Sequence, residues 1–353
     1  MTLELYGWND RFESSFEDHR NKNLTPARVI RVDRGAATAQ MPGGAVTVSI
    51  AGSLDPAGEP GPPAVGDWVG VDGVPDSHVV RVILPRSGAL ARRRPGEADL
   101  EQVVAANVDL VLVVESHERG PNARRIERAT ALAWDGGATP VIVLTKTDTC
   151  PDLDAAVATA QGAAPFSEVL PVSSVTGDGL EDLVRRLTAG STAVLLGPSG
   201  VGKSTLTNRL LGEEKFAVAD VRAGDGKGRH TTTHRELVSL PCGACLIDTP
   251  GVRELGLWLS AEAVSTAFPE IEEAAQRCRF GDCRHESEPG CAVRSDVEDG
   301  IIEGKRLESF LRLRREAENL DMRRDSARRH EIRAKDRVFG RLVREVKKLK
   351  DNR

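Results

Sequence analysis

The stretch Gly197-Pro198-Ser199-Gly200-Val201-Gly202-Lys203-Ser204-Thr205 has the spacing G-x-x-x-x-G-K-[ST] of a phosphate-binding loop. Its glycines let backbone N–H groups turn inward around phosphate oxygens, and a helix opening at its end adds a favourable dipole. Lys203 would reach the β- and γ-phosphates and act in catalysis, and Ser204 would hold Mg²⁺. About 45 residues on, Asp248-Thr249-Pro250-Gly251 closes an apolar run. A carboxylate at a strand end followed by glycine suits Mg²⁺, reached through water, and a switch that senses the γ-phosphate. Between the two lies Ala223 to Glu236, "AGDGKGRHTTTHRE", a polar loop in which Thr231 or Thr232 would complete the Mg²⁺ shell.

A phosphate loop alone does not separate ATP from GTP. That separation would come from Thr145-Lys146-Thr147-Asp148 and from Ser173-Ser174-Val175, each following an apolar run. Asp148 would accept from the N1–H and exocyclic amine of guanine, Lys146 would lie along the base plane, and the serine loop would offer a backbone donor to the guanine oxygen. Thr145 stands where Asn is usual; it keeps a hydroxyl but not the amide's paired donor and acceptor. Both base loops precede the phosphate loop, the reverse of the ordinary order. A circular permutation accounts for this, requiring only that the original termini lie close together.

Cys278, Cys283, His285 and Cys291 fall within fourteen residues, three thiolates and an imidazole that make a closed tetrahedral Zn²⁺ set. Cys242 and Cys245 form a separate C-x-x-C with no further ligand nearby in sequence and read as structural, as does Cys150.

Several elements must position these groups. Residues 1–24 read as a polar, acidic extension. Residues 25–92 hold five short β-like runs separated by turn signals, suited to an OB-fold barrel, with a Pro/Gly-rich insertion at Gly52 to Gly66. Pro85 to Gln102 reads as a linker with a basic knot at Arg92-Arg93-Arg94. Over 98–257 continuous apolar strands alternate with helices, which predicts a mostly parallel α/β sheet covered on both faces. Residues 258–353 read as helical around the cysteine cluster. The fold class expected is therefore multi-domain: a β barrel, an α/β P-loop domain and a helical zinc-binding domain.

Only 4% of residues are aromatic, so the cores should be aliphatic. The charge is uneven: Ile301 to Arg353 carries 18 Lys+Arg against 10 Asp+Glu, or +8, which leaves −13 of the total −5 for the rest. An acidic body with a basic tail suits one-sided contact with a polyanion. The absence of an apolar run of about 18 residues and of a signal-peptide pattern predicts a cytoplasmic chain with no membrane contact, and a monomer is expected.

Through these motifs the chain resembles the small-subunit-dependent ribosome biogenesis GTPases of the RsgA/YjeQ type over nearly all its length. The matching words are "GDWV", "VVAANVDLVLVV", "GPSGVGKSTL", "GKGRHTTT", "DTPGVRE" and the C-x₄-C-x-H-x₅-C cluster. The resemblance implies a GTP hydrolase that binds the small ribosomal subunit and its 16S rRNA late in assembly and hydrolyses GTP to leave, with barrel and zinc domain as the ribosome-contacting parts. Val252 occupies the position where many GTPases carry the Gln that orients water, so intrinsic turnover should be slow. His230, beside the threonines, is the candidate for that task, a choice to which the resemblance also points. Two rival readings are an ATP-using P-loop enzyme and an RNA-binding module with a structural nucleotide.

Overall fold

The computed structural model describes residues 3–33, 36–52, 54, 58–59, 61–74, 77–94, 97–216, 235–248 and 259–322. The polar lead-in contains a 3₁₀ turn (Leu3–Tyr6) and a helix α1 (Asp10–Arg20), capped where Asn9 Oδ1 accepts from the N–H groups of Arg11 and Phe12. Phe12 and Phe16, four apart, share one helix face and pack beside Trp68 and Trp8, so this segment folds onto the barrel rather than trailing from it.

The barrel comprises β1 (Thr25–Val32), β2 (Ala36–Met41), β3 (Gly44–Ile50), β4 (Trp68–Val74) and β5 (Ser77–Ile83), ordered β1-β2-β3-β5-β4 and closed by β4 pairing back onto β1. Its interior is small and aliphatic: Ala27, Val29, Ala37, Ala39, Val48, Val69, Val71, Val80 and Ile83. Trp68 is fully buried outside that interior, with the Arg28 guanidinium 5.1 Å from its ring.

The stretch read as a linker is instead an antiparallel hairpin, β6 (Ala89–Arg94) and β7 (Glu97–Ala106). Its alanines, glutamates and aspartate have little strand preference. Leu90, Val104 and Ala105 nevertheless join the core that contains Ile126 and Leu132, and that burial decides the conformation.

The second sheet segment follows the α/β expectation. Its strands are β8 (Leu110–Ser116), β9 (Thr139–Thr145), β10 (Glu168–Val172), β11 (Thr192–Leu196), β12 (Glu236–Ser239) and β13 (Cys245–Asp248), ordered β10-β9-β8-β11-β13-β12. All neighbours are parallel except β12 and β13. Side chains alternate between two cores. Val111, Val113, Ile142, Leu144 and Val194 face α2 (Ala123–Asp135) and α3 (Leu153–Ala163), whereas Leu112, Val114, Val143, Ala193 and Leu195 face α4 (Leu180–Arg186) and α5 (Lys203–Leu211). β12 also pairs with β1 at Glu236↔Arg31, which joins barrel and α/β sheet into one eleven-stranded sheet.

The C-terminal part contains α6 (Ala261–Ala267), α7 (Pro269–Ala275), α8 (Ala292–Glu298) and a helix over 304–322. Arg306 fastens it to the α/β domain: it donates to Glu270 Oε1, Glu127 Oε1 and the carbonyls of Ala163 and Ala267, and its guanidinium stacks 4.0 Å from the Phe268 ring centroid. Among the described residues no helix is long and apolar enough to cross a membrane.

Candidate nucleotide site and metal centre

β8, β9, β10, β11 and β13 run parallel, so their carboxyl ends lie along one edge of the sheet, the usual position for a ligand in an open α/β fold. β11 ends at Leu196 and delivers the phosphate-loop residues to that edge; β9 ends at Thr145, β10 at Val172 beside Ser173, and β13 at Asp248. Four segments scattered in sequence thus converge.

The loop from Gly197 to Gly202 leads into α5, whose first residues are Lys203, Ser204 and Thr205. Gly197 has φ +154°, and a Cβ there would lie 2.3 Å from the Val114 carbonyl oxygen, so only glycine fits where the loop leaves the strand beneath β8. Lys203 Nζ donates to the carbonyls of Gly197 and Pro198, 2.7 Å each, and so spans the loop mouth. Asp248 is 5% exposed at the end of β13.

Thr145 is buried, and its hydroxyl is shared between the carbonyls of Val201 at 2.5 Å and Glu115 at 3.1 Å. The first contact ties the base loop directly to the phosphate loop, so a hydroxyl alone makes the link for which Asn is usual. Lys146 takes a left-handed conformation, φ 61°, and its ammonium pairs with Glu118 at 2.9 Å. Thr147 and Asp148 form the 3₁₀ turn that follows. Ser173 Oγ donates to Asp148 Oδ1 at 2.6 Å and accepts from the N–H groups of Val175 and Thr176, which fixes the second base loop against the first. Val175 is 76% exposed and Ser174 half-buried at the same edge. His230, Thr231, Thr232 and Gly251 lie outside the described residues.

Two supporting groups carry no signature in the sequence. Glu115 is buried at the end of β8 with both oxygens on Arg125 of α2, at 2.5 and 2.6 Å, so the strand end that accepts from Thr145 is braced by a forked ion pair. His117 Nε2 lies 2.8 Å from Thr149 Oγ1 and holds the far side of the base loop. The first links the end of β8 to α2, and the second links the turn after β8 to the turn after β9.

In the C-terminal domain the ligand atoms of Cys278, Cys283, His285 and Cys291 all lie within 4.8 Å of one another. His285 Nδ1 is 3.7 Å from Cys278 Sγ and 3.5 Å from Cys291 Sγ, and those two sulfurs are 3.9 Å apart. A left-handed backbone at His285, φ 63°, turns its ring into the cluster. Burial, and then the Arg314 guanidinium, push the imidazole below its ordinary pKa, which favours the neutral form a metal ion needs. Glu288 accepts from the backbone N–H groups of Arg284, Glu286 and Ser287, which pulls its pKa down to about 2 and clamps the loop in its anionic form. The arrangement can hold one tetrahedral cation. Cys245 is fully buried and Cys242 half-buried on the β12–β13 hairpin, away from any such group among the described residues.

The RsgA GTPase family model matches residues 83–258. The small ribosomal subunit biogenesis GTPase RsgA of Syntrophotalea carbinolica is 46% identical over 90% of this chain and 90% of its own. Its namesake from Streptomyces coelicolor is 44% identical over 94% of this chain and 91% of its own. YjeQ from Thermotoga maritima superposes with a TM-score of 0.61 at 25% identity, covering 83% of this chain and 98% of its own. YloQ, a circularly permuted GTPase, superposes with a TM-score of 0.59 at 24% identity, covering 84% and 96%, and shares the fold. The reversed motif order, the convergence of base and phosphate loops on one sheet edge and these likenesses lead to one conclusion: the chain belongs to the RsgA GTPase family and is a GTP hydrolase with a permuted P-loop domain.

Proposed function

We propose that this GTPase binds the small ribosomal subunit through its 16S rRNA, acts in late maturation of that particle in the cytoplasm as a monomer, and leaves when GTP is hydrolysed to GDP and phosphate. The observation that supports the nucleotide part is the Thr145 hydroxyl on the Val201 carbonyl, a direct link between base loop and phosphate loop such as recognition of one nucleotide by both would require. Asp148, steadied by Ser173, retains lone pairs for the two guanine donors, and adenine offers no matching pair. Residues Gly197 to Thr205 cradle the phosphates, and Lys203 moves from the loop carbonyls to the β- and γ-phosphates. Ser204 and Asp248, with Thr232 or Thr231, would hold Mg²⁺, which supplies charge neutralisation at the transferring phosphoryl group. His230 orients the attacking water when the chain is bound to rRNA.

The metal in the cysteine cluster is read as Zn²⁺. Zn–S and Zn–N bonds of about 2.3 and 2.05 Å give tetrahedral edges of about 3.8 Å for S···S and 3.5 Å for S···N. The distances of 3.9 Å and 3.5–3.7 Å among Cys278, His285 and Cys291 match these edges, and Cys283 Sγ lies within 4.8 Å of the other three ligand atoms. The choice of partner rests on the function for which the relatives are named and on the charge distribution of the chain.

The test is GTP turnover with and without purified small subunits, for the wild type and His230→Ala. Stimulation by orders of magnitude in the wild type, lost in the variant, is expected; for comparison, the activating partner of the GTPase Ras accelerates its turnover roughly 10⁵-fold. A wild-type rate indifferent to subunits would remove the proposed partner, and undiminished stimulation in the variant would remove His230.

A further inference from the structure

A polar cavity of about 350 Å³ lies far from the nucleotide edge. Its walls include Thr192, where β11 begins, whereas the phosphate loop follows the end of that strand. The other walls come from the start of α1 (Arg11), the barrel (Arg28) and the crossing between barrel and α/β domain (Ser87, Asn107, Asp109).

Arg28 sets the chemistry. It is 1% exposed, yet among the described residues the acceptors it touches are uncharged: the Gly66 carbonyl, the Tyr6 carbonyl and the Thr192 hydroxyl. A guanidinium has five N–H groups, so two remain for a further acceptor. A buried cation without a paired anion is costly, and burial pushes Arg28 below its ordinary pKa despite the distant pull of Cys245, Asp109 and Asp67. Asp67 is already engaged by both forks of Arg86, at 2.8 Å each. The charged groups lining the cavity are therefore Arg11, Arg28 and Asp109, an excess of one positive charge. Asp109 is exposed and accepts from the Thr192 N–H at 2.8 Å, which leaves its other oxygen for a donor on a ligand. At about 30 Å³ per water-sized group the space holds roughly a dozen such groups, a small molecule rather than a polymer.

We propose that this cavity binds a small hydroxylated phosphomonoester, with the phosphate against Arg28 and Arg11 and a hydroxyl toward Asp109. The cavity shares no residue with the nucleotide site, and Trp68, 5.1 Å from the Arg28 guanidinium, supplies an intrinsic reporter.

The test uses the full chain saturated with a non-hydrolysable GTP analogue and Mg²⁺, so that the phosphate loop is filled through the γ-phosphate position. Glycerol 3-phosphate, inorganic phosphate and glycerol are titrated separately, with calorimetry and tryptophan fluorescence as readouts. Saturable binding of glycerol 3-phosphate, weaker binding of inorganic phosphate and none of glycerol are expected. Arg11→Ala should weaken binding about three- to tenfold, and Asp109→Asn should tighten inorganic phosphate by a similar factor. Arg28→Lys keeps the charge but loses the fork and should weaken binding at least about tenfold. Because Arg28 also joins three elements, its variant is read only if its melting temperature holds; the Arg11 and Asp109 variants decide the matter otherwise. Absence of saturable binding, or equal binding in the Arg11→Ala variant, would overturn the site. Binding of inorganic phosphate alone would overturn the phosphomonoester and leave a free-phosphate site.

Discussion

Replacing Thr145 by Val tests whether one hydroxyl couples base recognition to phosphate recognition. Valine keeps the volume and the β-branched shape at the end of β9 and removes only the donor shared by the carbonyls of Val201 and Glu115. A lost neutral hydrogen bond costs about 0.5–1.5 kcal/mol, and leaving a buried acceptor short of its partner raises that to about 1–3 kcal/mol. Thr145 is only 2% exposed, so water cannot easily replace the bond. Taking about 1–2 kcal/mol at the closed site, GDP affinity should fall about five- to thirtyfold. Fluorescent GDP titration measures this, and the melting temperature of the nucleotide-free protein reports how much of the loss falls on folding instead. Thr145→Ser, which keeps the hydroxyl, should remain within about threefold of the wild type. If Thr145→Val binds GDP as tightly as Thr145→Ser and melts at the same temperature, the contact carries no coupling and the reasoning fails.

Asp148→Asn should lower GTP affinity by at least about tenfold and improve that for xanthosine triphosphate, since the amide reverses one donor–acceptor pairing; competition binding with both nucleotides and ATP checks this. Cys283→Ser or treatment with a strong chelator should remove one bound metal per chain and loosen residues 276–300, read by metal analysis and hydrogen exchange, while GDP binding survives. Glu288→Ala should weaken metal retention about tenfold, the lower end for groups that orient ligands from behind. Truncation should be made after residue 322, because Phe310, Leu313, Ala317 and Leu320 are buried and a cut near 310 would open the core. The shortened chain should keep its melting temperature but show a shallower salt dependence of subunit affinity; an unchanged slope would make the tail a bystander.

Much of this was legible because the relevant signals are local. The phosphate loop, both base loops and the cysteine cluster are runs whose residue types state their own chemistry, and the apolar runs between them reproduce the strands of the α/β sheet. What could not be read depends on partners far away in the chain. Phe12 and Phe16 look like stray aromatics in an acidic segment until Trp68 is beside the first and Trp8 beside the second. The β6–β7 hairpin has poor strand propensity and forms because Leu90 and Val104 meet helix α2. Glu115 with Arg125, and Arg306 with its four acceptors, are charges whose pairing only the folded chain defines.

The junction of β12 with β1 bears on how such molecules keep apart from one another. β12 would otherwise end the α/β sheet with unpaired backbone groups, and the barrel, being a ring, has no terminus of its own to offer. Welding the two leaves the large sheet a single open flank among the described residues, β10. That flank is five residues long, includes Pro171 with no N–H to give, and begins at Glu168, whose carboxylate is engaged by Arg186. A strand so short and so blunted is a poor template for a neighbouring chain.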